Sequence, residues 1–410
     1  MAWLDFTKTL VDACNATAGW SSGGTGNLSI TDASSASGQS SALRLTATGA
    51  NTTFYQSIKT ITPTDYLTGW YMQWIRLPNQ ATANNVGNFF WRDPFSSNGY
   101  YQRLFTINSL SEETICSNNE WFPMMWLGAE MNAQAPAPAY NSNATWFDRM
   151  YLRATNITTG GIVDFGEMHA KVKQSRPIVC FTFDDSNDTD YTIAFPYLQS
   201  KGIKGTTYTI AGQIGLTNFL TTAQLHEMQD AGWTVGCHGD FSYTTLTNQQ
   251  LIDDLNLNKS FLITNGYVGW TNLSYPLGDF NPATVATIKN QGFKTGRTVI
   301  AKSYPLVPER GLHHLQGEGS NAWTTAADGI ASIDSAVLNG GTLIIFTHRL
   351  QALSGATHTS ETIWKAVVDY AVTLRNAGTI DIMSMDELQI AAGTATTSTT
   401  VGITTRGITG

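Results

Sequence analysis

The sequence predicts two domains of different class: an all-β sandwich of jelly-roll type over residues 1–172 and an α/β domain over residues 173–392, with a Thr/Gly-rich tail over residues 393–410. Three observations lead there. The first 172 residues hold short, nearly alternating segments separated by Gly, Ser, Asn and Pro clusters, with no helical period. Beyond about residue 176, strand-like and helix-like segments alternate, as a parallel sheet requires. At the junction stands Pro177-Ile178-Val179-Cys180-Phe181-Thr182-Phe183-Asp184-Asp185, an apolar run ending in two adjacent carboxylates. So short and apolar a run reads as a strand buried on both faces.

In the first domain the clearest strand segments are Leu43-Arg44-Leu45-Thr46, Tyr71-Met72-Gln73-Trp74-Ile75-Arg76-Leu77 and Arg149-Met150-Tyr151-Leu152-Arg153. Trp3, Trp20, Trp70, Trp74, Trp91, Trp121, Trp126 and Trp146 fall here, eight of the twelve tryptophans. An exposed indole offers a flat face to a sugar ring; the plainer reading is that aromatic rings fill the core. Trp91-Arg92-Asp93-Pro94 and Trp121-Phe122-Pro123, in loop-like contexts, are the better binding candidates. Gly160 to Gln174 is read as the stretch that carries the chain across to the second domain.

After the opening strand, Ala194–Ser200 reads as a helix stopped by Gly202, and Thr206–Ile210 as a strand. Thr222–Asp230 is a helix with Leu225 and Met228 on one face, ending at Gly232. Trp233–Cys237 is the next strand and delivers His238. Thr247-Asn248-Gln249-Gln250 opens a helix with a capping box, and Asn281-Pro282 starts another that closes at Gly292. Leu343–Phe346 is a strand that delivers His348; a long amphipathic helix, Ser360–Ala377, and a last strand, Ile380–Met383, follow. This alternation implies a parallel barrel or an open sheet. The tail is too poor in apolar residues to pack alone and reads as a free extension or an oligomerisation element of a homo-oligomer.

Composition narrows the partners. A formal net charge of −8 argues against nucleic acid or an anionic membrane as the main partner. Only 13% of the residues are charged, so much of the surface is Ser, Thr, Asn, Gln and Gly, which suits contact with sugars. No run of 18 apolar residues exists, so no membrane span is expected. Met1-Ala2-Trp3-Leu4-Asp5-Phe6 has neither a basic nor an apolar leader region, so no signal peptide is visible. Cys14, Cys116, Cys180 and Cys237 show no metal-type spacing; Cys180 and Cys237 lie in expected strands and read as reduced core thiols.

Three expected strands therefore end in groups capable of catalysis: Asp184 with Asp185, His238, and His348. α/β folds place ligands at the C-terminal ends of parallel strands. Adjacent ionised carboxylates repel unless a cation or a shared proton separates them. The plainer alternatives are an Asp-rich loop, since Ser186-Asn187-Asp188 follows, and structural core histidines. Carboxylate and imidazole together are the ligand types of a hydrolytic zinc site.

Here a resemblance becomes specific. Residues of about 176–390 resemble a polysaccharide deacetylase of the NodB-homology type, carbohydrate esterase family four. Thr182-Phe183-Asp184-Asp185 matches the first motif of that family and continues in register through Asp190–Leu198 and Gly202–Thr206. Ala231–His238 matches the approach to the second motif, Leu273-Ser274-Tyr275-Pro276-Leu277-Gly278-Asp279-Phe280-Asn281 looks like the third without its arginine, and Ile345-Phe346-Thr347-His348-Arg349 resembles the late histidine motif.

The resemblance implies a deformed (β/α) barrel and metal-dependent removal of N-acetyl, less readily O-acetyl, groups from an acetylated polysaccharide. It implies Asp185 and His238 as ligands of a divalent metal, usually zinc, Asp184 as general base, His348 as general acid, and the backbone N–H of Tyr275 as an oxyanion donor. Pro276 and Trp323 are the candidate substrate contacts. The chain departs from the pattern where a second metal histidine is expected, four residues after His238, on one face of a helical turn; Ser242 stands there, with Asp240 as a substitute if the loop is not helical. Asp328 and Asp334 are candidates for the acid that tunes His348, and His313, His314 and His358 are loop histidines of the same domain. The substrate would be extracellular, met by a secreted enzyme or by a virion-associated tail or spike protein of a bacteriophage. The competing class is a non-catalytic glycan-binding protein with a decayed deacetylase site.

Overall fold

Residues 174–396 fold around a parallel sheet whose strands all feed the same end. The computed structural model describes residues 5–18, 20, 22–23, 26–32, 40–48, 52–54, 56–57, 59–64, 69–78, 85–91, 100–106, 119, 121–134, 147–157, 159–301, 312–393 and 396–401. The chain divides into two units, one running from Gln174 to Thr396, the other taking Phe6–Lys173 with the stretch from Thr397 on.

The Phe6–Lys173 unit is antiparallel. Trp121–Leu127 pairs with Trp70–Arg76, Trp70–Arg76 with Ile162–Gln174, and Ile162–Gln174 with Ser41–Ala47. A second sheet joins Asn132–Gln134, Tyr100–Thr106, Asn85–Trp91 and Phe147–Ile157. Trp20, Trp70, Trp74 and Trp126 are buried core residues, as the plainer reading of the tryptophans holds. Asp164 is fully buried and stays charge-compensated because Arg44 and Arg76, opposite it on the two neighbouring strands, both reach its carboxylate at 2.8 Å.

Three expectations are corrected in this unit. Gly160–Gln174 is no mere connection, since Ile162–Gln174 is a thirteen-residue strand. Thr396–Val401 is no free tail, since it extends the sheet beside Asp5–Asp12; residues 402–410 lie outside the described residues. Trp121 begins a strand rather than a loop and lies under the Arg76 guanidinium at 4.8 Å; Trp91 ends one, and residues 92–99 lie outside the described residues.

In the other unit we label elements from its own start. Strand β1 (Ile178–Phe183) is buried at every position. Helix α1 (Phe195–Ser200), strand β2 (Thr206–Thr209), helix α2 (Thr222–Asp230), strand β3 (Thr234–His238) and helix α3 (Asn248–Thr264) follow. Then come strand β4 (Asn272–Ser274), helix α4 (Pro282–Asn290), strand β5 (Thr295–Arg297), the short strand β6 (Glu318–Gly319) and helix α5 (Ala326–Asn339). Strand β7 (Thr342–Thr347), helix α6 (Glu361–Asn376), strand β8 (Asp381–Ile382) and helix α7 (Met385–Gly393) complete it.

Local chemistry explains the boundaries. Thr221 and Gln224 form a capping box on α2, Thr247 and Gln250 one on α3, and Asn281 caps α4 with Pro282 in its first turn. The parallel sheet runs β5-β4-β3-β2-β1-β7-β6, with β8 also on β1. It curls until its ends approach one another. Leu315 donates its N–H to Gly296 O at 2.9 Å on the β5 side, and three residues later β6 pairs with β7. The result is a curled parallel sheet, between the parallel barrel and the open sheet that the β/α alternation leaves open.

Candidate active site

Register assembles the site. Phe183 pairs with Thr347 across β1 and β7, so Asp184 and His348 leave the sheet at the same level. Asp184 donates its N–H to Thr347 O at 2.9 Å, which keeps them together. On the other side His238, Ser274 and Arg297 share one rung across β3, β4 and β5. A cleft of about 450 Å³ opens over these strand ends, lined among others by Asp184, Asp185, His238, Tyr275, Pro276 and His348.

Asp184 is 3% exposed, so its charge needs a partner. The partner is Arg297, fully buried, which donates from Nη2 to Asp184 Oδ2 and to Ser274 Oγ. The guanidinium is flanked by the rings of Phe346 at 4.5 Å and Tyr208 at 5.6 Å, a dry setting suited to its delocalised charge. Asp184 Oδ1 is buried and has no hydrogen-bond partner among the described residues. One oxygen is thus anchored and the other left able to accept a proton.

Asp185 adopts the left-handed conformation at φ 68°, and Ser186 follows at φ 56°. Side chains disfavour this region, so the loop must be held. Ser186 Oγ accepts the Ile210 N–H at 2.9 Å, and Asn187 Nδ2 donates to Asp184 O at 3.0 Å and to His348 O at 2.9 Å. Arg349 pairs with Asp188 at 2.9 Å. Pinned in this way, Asp185 places Oδ1 at 3.4 Å from His238 Nε2 and Oδ2 at 3.9 Å from His348 Nε2. Burial works to raise the Asp185 pKa, but the hydrogen bond and charge of His238, with His348 and Arg297 behind it, hold the carboxyl below its ordinary range.

His238 is buried at the end of β3, and its Nδ1–H donates to Ser274 O at 2.8 Å, an assignment that leaves Nε2 facing Asp185. Burial lowers its pKa, yet the Asp185 hydrogen bond, the charges of Asp184 and Asp185 and the Ser274 carbonyl together raise it. His348 is partly exposed and its Nδ1 has no hydrogen-bond partner among the described residues.

A metal at this site is tested by the donors present. Two ligands of a tetrahedral zinc ion stand about 3.3 Å apart, given metal–donor lengths of roughly 2.0–2.1 Å. The 3.4 Å between Asp185 Oδ1 and His238 Nε2 fits that spacing. The third donor fits less well. Among the described residues no cluster of three or more His, Cys, Asp or Glu is arranged to hold an ion.

Several expected residues are placed elsewhere. Ser242 does not continue a helical turn from His238; it precedes a 3₁₀ turn, Tyr243–Thr245, and its hydroxyl donates to Asp279 at 2.5 Å. It does not line the cleft, whereas Asp240 does. The Tyr275 N–H is donated to Arg297 O at 3.0 Å, so it is not the free oxyanion donor expected; the ring is buried and its hydroxyl donates to His313 O at 3.0 Å. Trp323 is a core residue 3% exposed, its indole N–H on Glu318 at 3.0 Å, and does not reach the cleft. Asp328 caps α5 and Asp334 accepts the Tyr370 hydroxyl, so neither tunes His348. His358 lines the cleft.

Arg297 is the functional residue that sequence reading missed. It ends a three-residue strand too short to show a pattern, and only the β4–β5 register brings it under Asp184.

Comparison with known proteins bears on the same segment. Residues 171–296 match the polysaccharide deacetylase family model. The similarity to polysaccharide deacetylases lies in this segment. Among curated proteins, YxkH of Bacillus subtilis is 30% identical over 128 residues, 31% of this chain and 46% of that protein. The poly-beta-1,6-N-acetyl-D-glucosamine N-deacetylase of Staphylococcus aureus is 28% identical over 149 residues, 32% of this chain and 51% of the relative. The chain therefore spans about half the length of the curated relatives it matches. A solved family 4 acetyl xylan esterase from Clostridium thermocellum, in complex with a cobalt ion, is 17% identical, covering 53% of this chain and 92% of that one with a TM-score of 0.38. The matched deacetylase segment holds Asp184, Asp185 and His238 and ends one residue before Arg297, ahead of His348.

Proposed function

We propose that this protein hydrolyses N-acetyl groups on a polysaccharide. The observation that carries the reading is the Asp184 carboxylate, buried, anchored through one oxygen by Arg297 and without a hydrogen-bond partner among the described residues at the other, at the level of His348 in one cleft. In the reaction Asp184 takes a proton from the attacking water, the water oxygen bonds to the acetyl carbon, the C–N bond breaks, and His348 returns a proton to the leaving amine. Acetate and a free amino sugar result. Asp185 and His238 are the residues that would hold a divalent ion, zinc by donor type. Such an ion, when bound, polarises the acetyl carbonyl and lowers the pKa of water. N-acetyl rather than O-acetyl hydrolysis is favoured by the named activity of the Staphylococcus aureus relative.

The antiparallel unit is, on this reading, a jelly-roll sandwich that attaches the enzyme to glycan. The polar surface suits an extracellular or virion-associated setting, as in a phage tail, and homo-oligomers through the first unit are compatible with it.

The test is acetate release from a poly-β-1,6-linked N-acetylglucosamine oligomer and from other acetylated glycans, with zinc or cobalt added. Release by the wild type, abolished in Asp184→Asn and His348→Ala, supports the reading; none with any acetylated glycan overturns it. One observation favours a second reading. The Ser242 hydroxyl is turned to Asp279 and, among the described residues, no third donor joins Asp185 and His238, as in a site that binds glycan without cleaving it. Saturable glycan binding without acetate release would select that reading.

A further inference from the structure

Leu277 stands in the left-handed region at φ 57°, ψ 6°, and is 77% exposed. A branched apolar side chain is disfavoured both by that backbone conformation and by that exposure. The turn itself is imposed. Pro276 precedes it, Gly278 donates to Tyr275 O at 2.9 Å and Asp279 to Pro276 O at 3.1 Å. Gly278 is also left-handed, at φ 74°, and a Cβ there would lie 2.3 Å from Val299. A left-handed site of this kind is served best by Gly or Asn. Leucine adds little to the packing of the free protein, because its side chain lies mostly in solvent. Yet Leu277 and Val299, itself 40% exposed, line the same cleft as Asp184, Asp185 and His348.

Resting on the deacetylase reading, we infer that Leu277, with Val299 beside it, is the apolar seat for the C–H face of the pyranose ring whose acetamide enters the cleft. The floor of the cleft is polar and takes the amide; Leu277 and Val299 give its exposed rim an apolar stretch, beside the polar Asp240, Gln351 and Thr357, and take the ring. Its exposure places Leu277 at the mouth, where the ring lies, rather than at the depth where an acetyl methyl would sit.

The experiment compares wild type, Leu277→Asn and Leu277→Met on an N-acetylglucosamine tetramer and on 4-nitroacetanilide, an acetamide without a sugar ring. Asn keeps the left-handed backbone without the apolar face, and Met restores the face. We expect Leu277→Asn to raise KM for the tetramer about tenfold, the worth of burying part of a leucine, with a smaller change in kcat and an undiminished Tm. The KM penalty should be several-fold larger on the tetramer than on 4-nitroacetanilide, and Leu277→Met should recover most of it. A tetramer KM within twofold of wild type in Leu277→Asn, or equal losses on both substrates, would overturn the inference. Wild type inactive on every acetylated glycan would instead remove the deacetylase reading and this inference with it.

Discussion

The Arg297 guanidinium donates to the Asp184 carboxylate across 113 residues of sequence, and both groups are buried. Neither charge is tolerable there alone. Removing one partner of a buried pair typically destabilises by about 3–5 kcal/mol, because the other is left uncompensated. Arg297→Ala is therefore expected to lower stability by roughly that amount, and Arg297→Ala with Asp184→Asn by less than the sum of the two single changes. Urea denaturation of the four proteins in the cycle checks this; strict additivity would show that the pair is not coupled.

Asp185 pairs a left-handed backbone with a carboxylate 3.4 Å from His238 Nε2, the pair proposed to hold the metal. Asn tolerates that backbone nearly as well as Asp. Asp185→Asn should keep Tm within a few degrees of wild type while losing bound zinc, measured by elemental analysis after dialysis, and most acetate release. Loss of Tm without loss of zinc would reverse the assignment.

Gly239 follows His238 directly, and a Cβ there would meet the Tyr243 hydroxyl at 2.4 Å and Asp254 Oδ2 at 2.5 Å. Both neighbours are buried, so little room exists to give way. Gly239→Ala is expected to destabilise by about 1–3 kcal/mol, the usual range for overpacking, and to displace His238. Tyr243→Phe in the same chain removes one of the clashing atoms and should recover part of the loss in thermal melts.

His169, in the first unit, is 1% exposed. Burial, reinforced by the charge of Lys8, lowers its pKa to about 3. The ordinary value is 6.5, so between these limits the unfolded chain binds the proton and the folded chain does not. The stability it contributes is complete above pH 6.5 and is lost as the pH falls toward 3, with a slope of about 1.4 kcal/mol per pH unit. His169→Gln should flatten the pH dependence of denaturation over that window; an unchanged slope would show that His169 is not responsible.

Much of the second unit is legible in the sequence. β1 with Asp184 and Asp185, the capped helices α2, α3 and α4, and the strands delivering His238 and His348 all follow from periodicity, caps and apolar runs, which are local signals. The misreadings share a cause. The expected place of Ser242 assumes a helical turn, but the chain bends at Asp240 and Phe241 before the 3₁₀ turn Tyr243–Thr245, and the Ser242 hydroxyl faces Asp279. Residue type and motif position point to Tyr275 and Trp323, while their N–H hydrogens are already spent on Arg297 O and Glu318. A backbone or indole N–H has one hydrogen to give, and which acceptor receives it depends on neighbours distant in sequence.

The order of β and α elements and the strands that deliver Asp184, Asp185, His238 and His348 are properties of the amino-acid string, because each depends on spacing within a few residues; the roles of base, acid and ligand rest on the motif resemblance. Sheet register is not. It brought Arg297 beneath Asp184, set His238 level with Ser274, and drew Thr396–Val401 into the sheet of the other unit. Those pairings depend on which strands lie side by side, and burial in the curled sheet then decides which charge must be answered and by which residue.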